Sequence, residues 1–314
     1  MGAWSTGLYS NDFAQDLRGT VAAVARLPFE PGRLLHFLCE AEPSVSNDNT
    51  DSDHTTFWLV VADQFVKRGI NCPDVREKAL AIIEDGADLA AMAALGMDEK
   101  ALAKRGLMLE ELQTRISQPP EFIKSRAVLK APQKLLLDVG EVLIYPTCNS
   151  TPINPYAVGK DWDWVKAWKQ DGWGAFAVAD RGLAFGFLAW YWPLIVCEAM
   201  PSEPTIGGLL GPLQWQTANA GTLTARHYKN LQLQSIGRMS FDSSKVNHRL
   251  GRCRTSISSA VSDISIGNSL DLRNLQRDEA SRIRQGYPPT PKIQALGEIL
   301  HFGDEQGHKT SKSS

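Results

Sequence analysis

Most of the signals that announce a chemistry are missing from this chain. It holds no HExxH, no GxSxG, no Walker loop and no HxE followed by CxxC, so none of the common metalloprotease, hydrolase, nucleotide-binding or deaminase signatures applies. Cysteine is sparse: Cys39, Cys72, Cys148, Cys197 and Cys253 are scattered, odd in number and without a CxxC pair. That spacing excludes a zinc ribbon and a disulfide framework, and reduced thiols in a cytoplasm are expected. The six histidines, His36, His54, His227, His248, His301 and His308, stand far apart, so no metal site and no cofactor is expected. A basic start followed by an apolar run is also lacking, so no secretory signal is expected. Met1-Gly2-Ala3-Trp4-Ser5-Thr6 fits the loose N-myristoylation pattern, but Trp4 lies inside it and no polybasic segment follows.

Long apolar runs are equally scarce. One apolar stretch stands out, the sixteen uncharged residues from Gly182 to Cys197 within "RGLAFGFLAWYWPLIVCEAMP". A membrane helix needs roughly twenty apolar residues. This run is shorter, holds two glycines and carries Pro193, so no membrane span is expected.

What is present is a globular composition, 43% hydrophobic and 22% charged over 314 residues, long enough for two domains. The charge is unevenly spread. Residues 1–120 carry 11 Lys/Arg against 18 Asp/Glu, a net of −7, and the remainder 22 against 17, a net of +5. Such a split suggests two units of different character, and the positive excess is too mild to imply nucleic acid.

The first third has helical periodicity. Ser10-Asn11-Asp12 is an N-cap cluster before Phe13, Leu17, Val21 and Val24 at helical spacing. Leu34, Leu35, Phe37 and Leu38 mark a second helix after Pro31, and "EPSVSNDNTDSD" (Glu42–Asp53) has the composition of a solvated loop. Thr55–Arg68 follows, ending at Gly69 as a C′ residue. Asp74–Ile83, Asp88–Leu95 and Asp98–Ile116 complete a helical domain over residues 1–118. Residues 119–133 have a linker composition. From residue 134 the pattern turns to strands: Leu135–Pro146 with a turn or bulge at Gly140, then Trp173–Ala179 and Leu183–Tyr191 around a turn at "ADRG", then Leu231–Met239. Residues 255–272 fit helix and strand alike. The expectation is an α+β chain, with a β-rich domain over 134–302 and a disordered tail over 303–314.

Tryptophan is the feature in excess. Six of the nine lie between Trp162 and Trp192. One reading is a Trp-rich core with two or three rings at its rim; the other is a recognition surface, for which "KDWDWVKAWKQDGW" is the better candidate because its tryptophans alternate with charges. Trp162, Trp164, Trp168, Asp171, Trp173, Trp190 and Trp192 are therefore the candidate binding residues. Phe185 and Phe187 are expected in the core, and Pro193 is expected to end its strand. A Cys148–His227–Asp171 arrangement can be written down, but a cysteine nucleophile needs a base within hydrogen-bond reach, which sequence does not supply. "KVNHRLGRCR" (Lys245–Arg254) is basic but has no aromatic interleaving for stacking on bases.

Two blocks carry resemblances. "MGAWSTGLYSNDFAQD" resembles the opening of an uncharacterised bacterial family, domain of unknown function 4259, with Trp4, Thr6, Gly7, Asn11 and Asp12 matching and Ser5 in place of a glycine. That family has no established activity, so no catalytic residue carries over. "VGEVLIYPT…DGWGAFAVADRG" is similar to β-rich bacterial immunity proteins, which neutralise toxins by binding; Glu141 stands where those have Asp, and Trp173 where they have Tyr.

Together these features favour a cytoplasmic, non-enzymatic binding protein over an enzyme. The resemblances imply a bacterial immunity or defence-associated factor recognising a protein partner, a toxin or a host factor. The alternatives are a carbohydrate or small-ligand module on the same tryptophans, and a cysteine-dependent hydrolase.

Overall fold

A computed structural model of the chain describes residues 5–118, 126–153, 166–197, 200–210, 213, 215–217, 220–240, 264–269, 272 and 292–293. The fold is α+β, with helices preceding an antiparallel sheet. It divides into two compact units, the first built on residues 1–134 with 182–190 and 254–268, the second on 135–181, 191–253 and 269–314.

The first unit has seven helices among its described residues: α1 (Asp12–Val24), α2 (Pro31–Ala41), α3 (Pro43–Asn47), α4 (His54–Lys67), α5 (Pro73–Glu84), α6 (Ala87–Ala94) and α7 (Glu99–Ser117). Their starts follow local chemistry. Asn11 and Asp98 cap α1 and α7, their carbonyl or carboxylate oxygens accepting from the Ala14 and Ala101 amides at 2.6 and 2.7 Å. Prolines stand in the first turn of α2, α3 and α5, where the missing N–H costs nothing. The helix α3 corrects the expectation of a plain loop from Glu42 to Asp53. Pro43 presets the backbone there, and Asn47 Nδ2 donates to the Pro43 carbonyl at 2.8 Å.

Around α4 nearly every side chain is buried, polar ones included. Asp63 is fully buried, and its Oδ2 accepts from the Tyr9 hydroxyl and, at 2.7 Å, from Lys67 Nζ. Arg115 lies 2.8 Å from Oδ1, off the hydrogen-bonding direction. Asp88 is likewise fully buried and holds Arg105 in a two-pronged pair, 2.8 and 2.9 Å. Buried charge persists only when paired in this way.

The segment after α7 is tied down where it is described. Arg126 donates to the Ala25 and Phe29 carbonyls at 3.3 and 2.6 Å, and the Leu129 amide to Arg26 at 2.8 Å.

The second unit is organised on a sheet in the order β2-β1-β3-β4-β5-β9, with β7 also pairing β1 and β6 also pairing β4. The strands are β1 (Glu141–Cys148), β2 (Thr151–Pro152), β3 (Gly172–Ala184), β4 (Leu188–Val196), β5 (Trp215–Thr217), β6 (Ala220–Thr222), β7 (Gln234–Arg238), β8 (Ile264–Ser269) and β9 (Lys292–Ile293). Two short helices, α8 (Ile206–Leu209) and α9 (Ala225–Asn230), interrupt the strands. Gly140 precedes β1 at φ +81, and a side chain there would run into the Met239 carbonyl, whose residue closes the β1–β7 ladder. Asp138, beside it, receives Arg181 at 2.6 Å and also Arg238.

Two expectations about the β3–β4 hairpin need correction. The turn is not at "ADRG". Strand β3 runs through Asp180–Gly182, and the chain reverses at Phe185-Gly186, with φ +54 and +75 and Phe187 N–H reaching the Ala184 carbonyl at 3.0 Å. Positive φ at both central residues is the turn geometry that matches strand twist. Phe185 tolerates it because its ring packs at 4.3 Å on Phe37 in the first unit, to which residues 182–190 belong. Nor does Pro193 end β4, which continues to Val196. Its missing N–H falls between the β6 pairing at Tyr191 and the β5 pairing that begins at Leu194, where the neighbouring strand changes. All of β4 is buried, and among the described residues no helix is long and apolar enough to cross a membrane.

Candidate functional site

The candidate residues converge on one place and depart from another. At the far end of β1, Asn149 and Ser150 take φ +50 and +60 in a two-residue reversal into β2. Asp171, just before β3, closes this corner. Its N–H donates to the Thr147 carbonyl at 2.9 Å, and its Oδ2 accepts from the Asn149 amide at 2.7 Å. The carboxylate is exposed but already serves the turn.

Around Asp171 the side chains of Lys166, Lys169 and Gln170 are exposed, and Trp168 and Trp173 are half-buried. Trp168 keeps its Nε1 shielded from water and without a hydrogen-bond partner among the described residues. Trp173 is fixed through its backbone, which exchanges two bonds with Met200 at 2.8 and 2.9 Å and sits opposite Pro146. Gly172 belongs to the same corner, since a side chain there would crowd the Met200 carbonyl and Thr147 Oγ1. The result is a corner on which Trp173 is held by its backbone, with half-buried Trp168 and charges of both signs close in sequence. Trp162 and Trp164 lie outside the described residues.

Trp190 and Trp192 have a different setting. They are 4% and 6% exposed, buried in β4. Trp190 lies over Gly182, where a side chain would overlap the indole. Neither ring offers a face to a ligand. The expected core residue Phe185 is buried, and Phe187 is half-buried against Phe29 at 6.0 Å.

The cysteine arrangement is not assembled. Cys148 ends β1, half-buried, and its Sγ takes its described hydrogen bond from Asn149 Nδ2 at 3.8 Å rather than from an imidazole. Asp171 is committed to the turn. His227, on α9, has its imidazole pushed below the usual value by burial and then by Arg226. Among the described residues no group of three or more His, Cys, Asp or Glu converges as a metal site.

Sequence reasoning overlooked a concave feature in the helical unit. Where α4 ends, Gly69 at φ +66 lets two bonds form, Gly69 N–H to the Val66 carbonyl at 3.0 Å and Ile70 N–H to the Phe65 carbonyl at 2.9 Å. This C-terminal motif turns the chain toward Cys72 and Pro73, the start of α5. A cavity of about 430 Å³ lies at that turn, within the size range of small-molecule sites. Gly69 was the legible signal; the space beside it depends on α7, far away in sequence.

The N-terminal block is docked rather than presented. The Gly7 carbonyl accepts from Arg105 Nη1 at 2.9 Å. Tyr9 donates to Asp63, accepts from Gln64 and lies under the Arg18 and Lys67 cations at 5.2 and 5.5 Å. Burial, followed by the bond to the Asp63 carboxylate, drives the Tyr9 hydroxyl well above the usual tyrosine value. The described part of the motif, from Ser5, thus closes the helical core. No family model, curated protein or solved structure matches the chain.

Proposed function

We propose that this protein is a non-enzymatic binding protein that recognises a protein partner, in the manner of an immunity or defence-associated factor acting against a toxin or host factor in the cytoplasm. The observation that carries the reading is the contrast among its tryptophans. Trp190, Trp192 and Trp215 are buried, whereas Trp168 and Trp173 keep part of their rings at a rim flanked by exposed Lys166, Lys169 and Asp171. Interface centres are enriched in tryptophan, with charges at their edges setting register and rate. The Cys148 thiol meets Asn149 rather than a base, which supports binding over hydrolysis, and the free thiols of Cys39, Cys72 and Cys148 suit a reducing compartment.

The test is affinity capture from the native host with the full chain, followed by mass spectrometry and reconstitution with the purified partner. Trp168→Ala and Trp173→Ala are expected to weaken the reconstituted complex by at least tenfold each, as truncated anchor residues do. Their melting temperatures are expected to stay near that of the parent. A large loss of thermal stability with unchanged affinity assigns the two rings to the core and overturns the reading.

A second reading, a carbohydrate or small-ligand module on the same rings, draws on the Trp168 Nε1 donor that no described group satisfies. Intrinsic fluorescence titrated against glycan and nucleotide panels tests it, and a flat response throughout removes it.

A further inference from the structure

The geometry points to a second binding site, in the helical unit, for an apolar molecule with a carboxylate head. The cavity between the end of α4, the start of α5 and the end of α7 has about 430 Å³ of free space. Its walls are Phe65, Val66, Ile70, Val75 and Ile116. Phe65, Ile70, Val75 and Ile116 are at most 6% exposed, so these walls are core side chains with a space left beside them. The space opens to solvent past Asn71 and Arg76, so an apolar occupant would remove the remaining exposed lining from water.

The polar lining residues are close together in the chain. Asn71, Cys72 and Arg76 line the cavity along the turn into α5. Arg76 is exposed and makes no ion pair among the described residues. Arg68, at the end of α4, also makes no ion pair among the described residues, but its guanidinium is occupied by Gln64. Arg115 and Lys67 are paired with Asp63, and Arg105 with Asp88. Asp74 and Glu77 flank Arg76 in sequence, but neither lines the cavity. A guanidinium with its fork unoccupied beside an apolar chamber matches a carboxylate on a hydrocarbon stem, since the fork takes both carboxylate oxygens at once. Asn71 adds an amide that can donate to the same head. Cys72, whose thiol burial holds above its usual value, is a neutral wall residue, labelled slowly enough for a further loss of access to be read over long exposure at alkaline pH. This site is independent of the partner reading, which rests on the second unit.

The experiment uses the full-length protein and decanoate, with decanol as the uncharged counterpart. Calorimetric titration of the parent is expected to show one saturable decanoate site, with a heat-capacity change of negative sign from apolar burial. Decanoate is also expected to slow maleimide labelling of Cys72, followed by peptide mapping, without slowing Cys148. Arg76→Gln should weaken decanoate about tenfold, the ordinary effect of losing a charged hydrogen bond, while leaving decanol unchanged. Val66→Trp fills the chamber and should abolish both. If Val66→Trp does not fold, Arg76→Gln decides alone, because its side chain is exposed and its loss leaves the core intact. Three results overturn the proposal: no saturable decanoate binding to the folded parent, decanoate binding that Arg76→Gln leaves unchanged, or Cys72 labelling that decanoate fails to slow.

Discussion

The two units solve the burial of polar groups in opposite ways. In the helical unit the core is laced with charge: Asp63, Asp88 and Arg105 are at most 3% exposed, and each is met by an opposite charge. In the sheet unit the core is apolar and aromatic, and its few buried polar side-chain groups either meet the backbone, as the Tyr145 hydroxyl does at the Leu272 carbonyl, or go unpaired. Thr147 Oγ1 and Trp215 Nε1 are buried without a hydrogen-bond partner among the described residues. Side-chain pairing locks the helices in place. In the sheet unit, backbone ladders and tight reversals at Gly140 and Asn149-Ser150 do the corresponding work. A helix satisfies its own backbone, so its neighbours must be specified through side chains; a strand specifies its neighbour through the backbone itself.

That contrast predicts where each unit breaks. The largest effect is expected from Arg105→Met, which strands the fully buried Asp88 carboxylate and should cost about 3–5 kcal/mol by denaturant unfolding. Adding Asp88→Leu should recover part of the loss, because an apolar pair leaves no bare charge. If the double variant is no better than the single, the pair is not what holds α6 and α7.

In the sheet unit the corresponding break is a single methyl group. Gly140→Ala meets both a positive φ and the Met239 carbonyl, and should cost about 1–3 kcal/mol from backbone strain alone. Gly86→Ala in the helical unit also has positive φ but open space around it, so its cost should be the smaller of the two. Equal melting temperatures for the two variants would remove the argument from close approach. A smaller effect is expected at a helix start: Asn11→Ala loses the α1 cap and about 1 kcal/mol.

The subtlest effect is in pH. The neutral Tyr9 hydroxyl is favoured in the folded protein, so its contribution is fully present below the unfolded tyrosine value of about 10. Above that pH the unfolded chain ionises first, and stability falls as pH rises toward the higher folded value. Tyr9→Phe should therefore flatten the alkaline limb of a melting-temperature profile. Tyr191 and Tyr228, also held neutral chiefly by burial, should leave a residual slope. An unchanged alkaline limb would detach Tyr9 from the buried network.

The helices were legible in detail because their evidence is local. The cap at Asn11, the stop at Gly69 and the apolar stripes of α1, α4 and α7 all lie within a few residues of what they control. Helix α3 escaped because five residues are too few to show a period. In the sheet, Gly140 and the strands around it were readable, but the hairpin turn was misplaced. "ADRG" has turn chemistry, whereas Phe185-Gly186 has only one suitable residue and depends on Phe37 for the other. The candidate binding residues divided similarly by burial. Alternation with charge marked Trp168 and Trp173, which keep exposed edges, while Trp190 and Trp192 sit in a strand buried along its whole length.

By itself the sequence determined that this is an α+β chain, where most of its helices start and stop, and that its catalytic vocabulary is bare. Those properties are set by side-chain periodicity and by contacts a few residues apart. Only the tertiary structure decided that Asp63 and Asp88 are buried and paired, that Asp171 serves a turn, that Cys148 meets an amide, and that a cavity remains beside Gly69. Each of these depends on groups distant in the chain, and no local pattern encodes which distant side chain arrives.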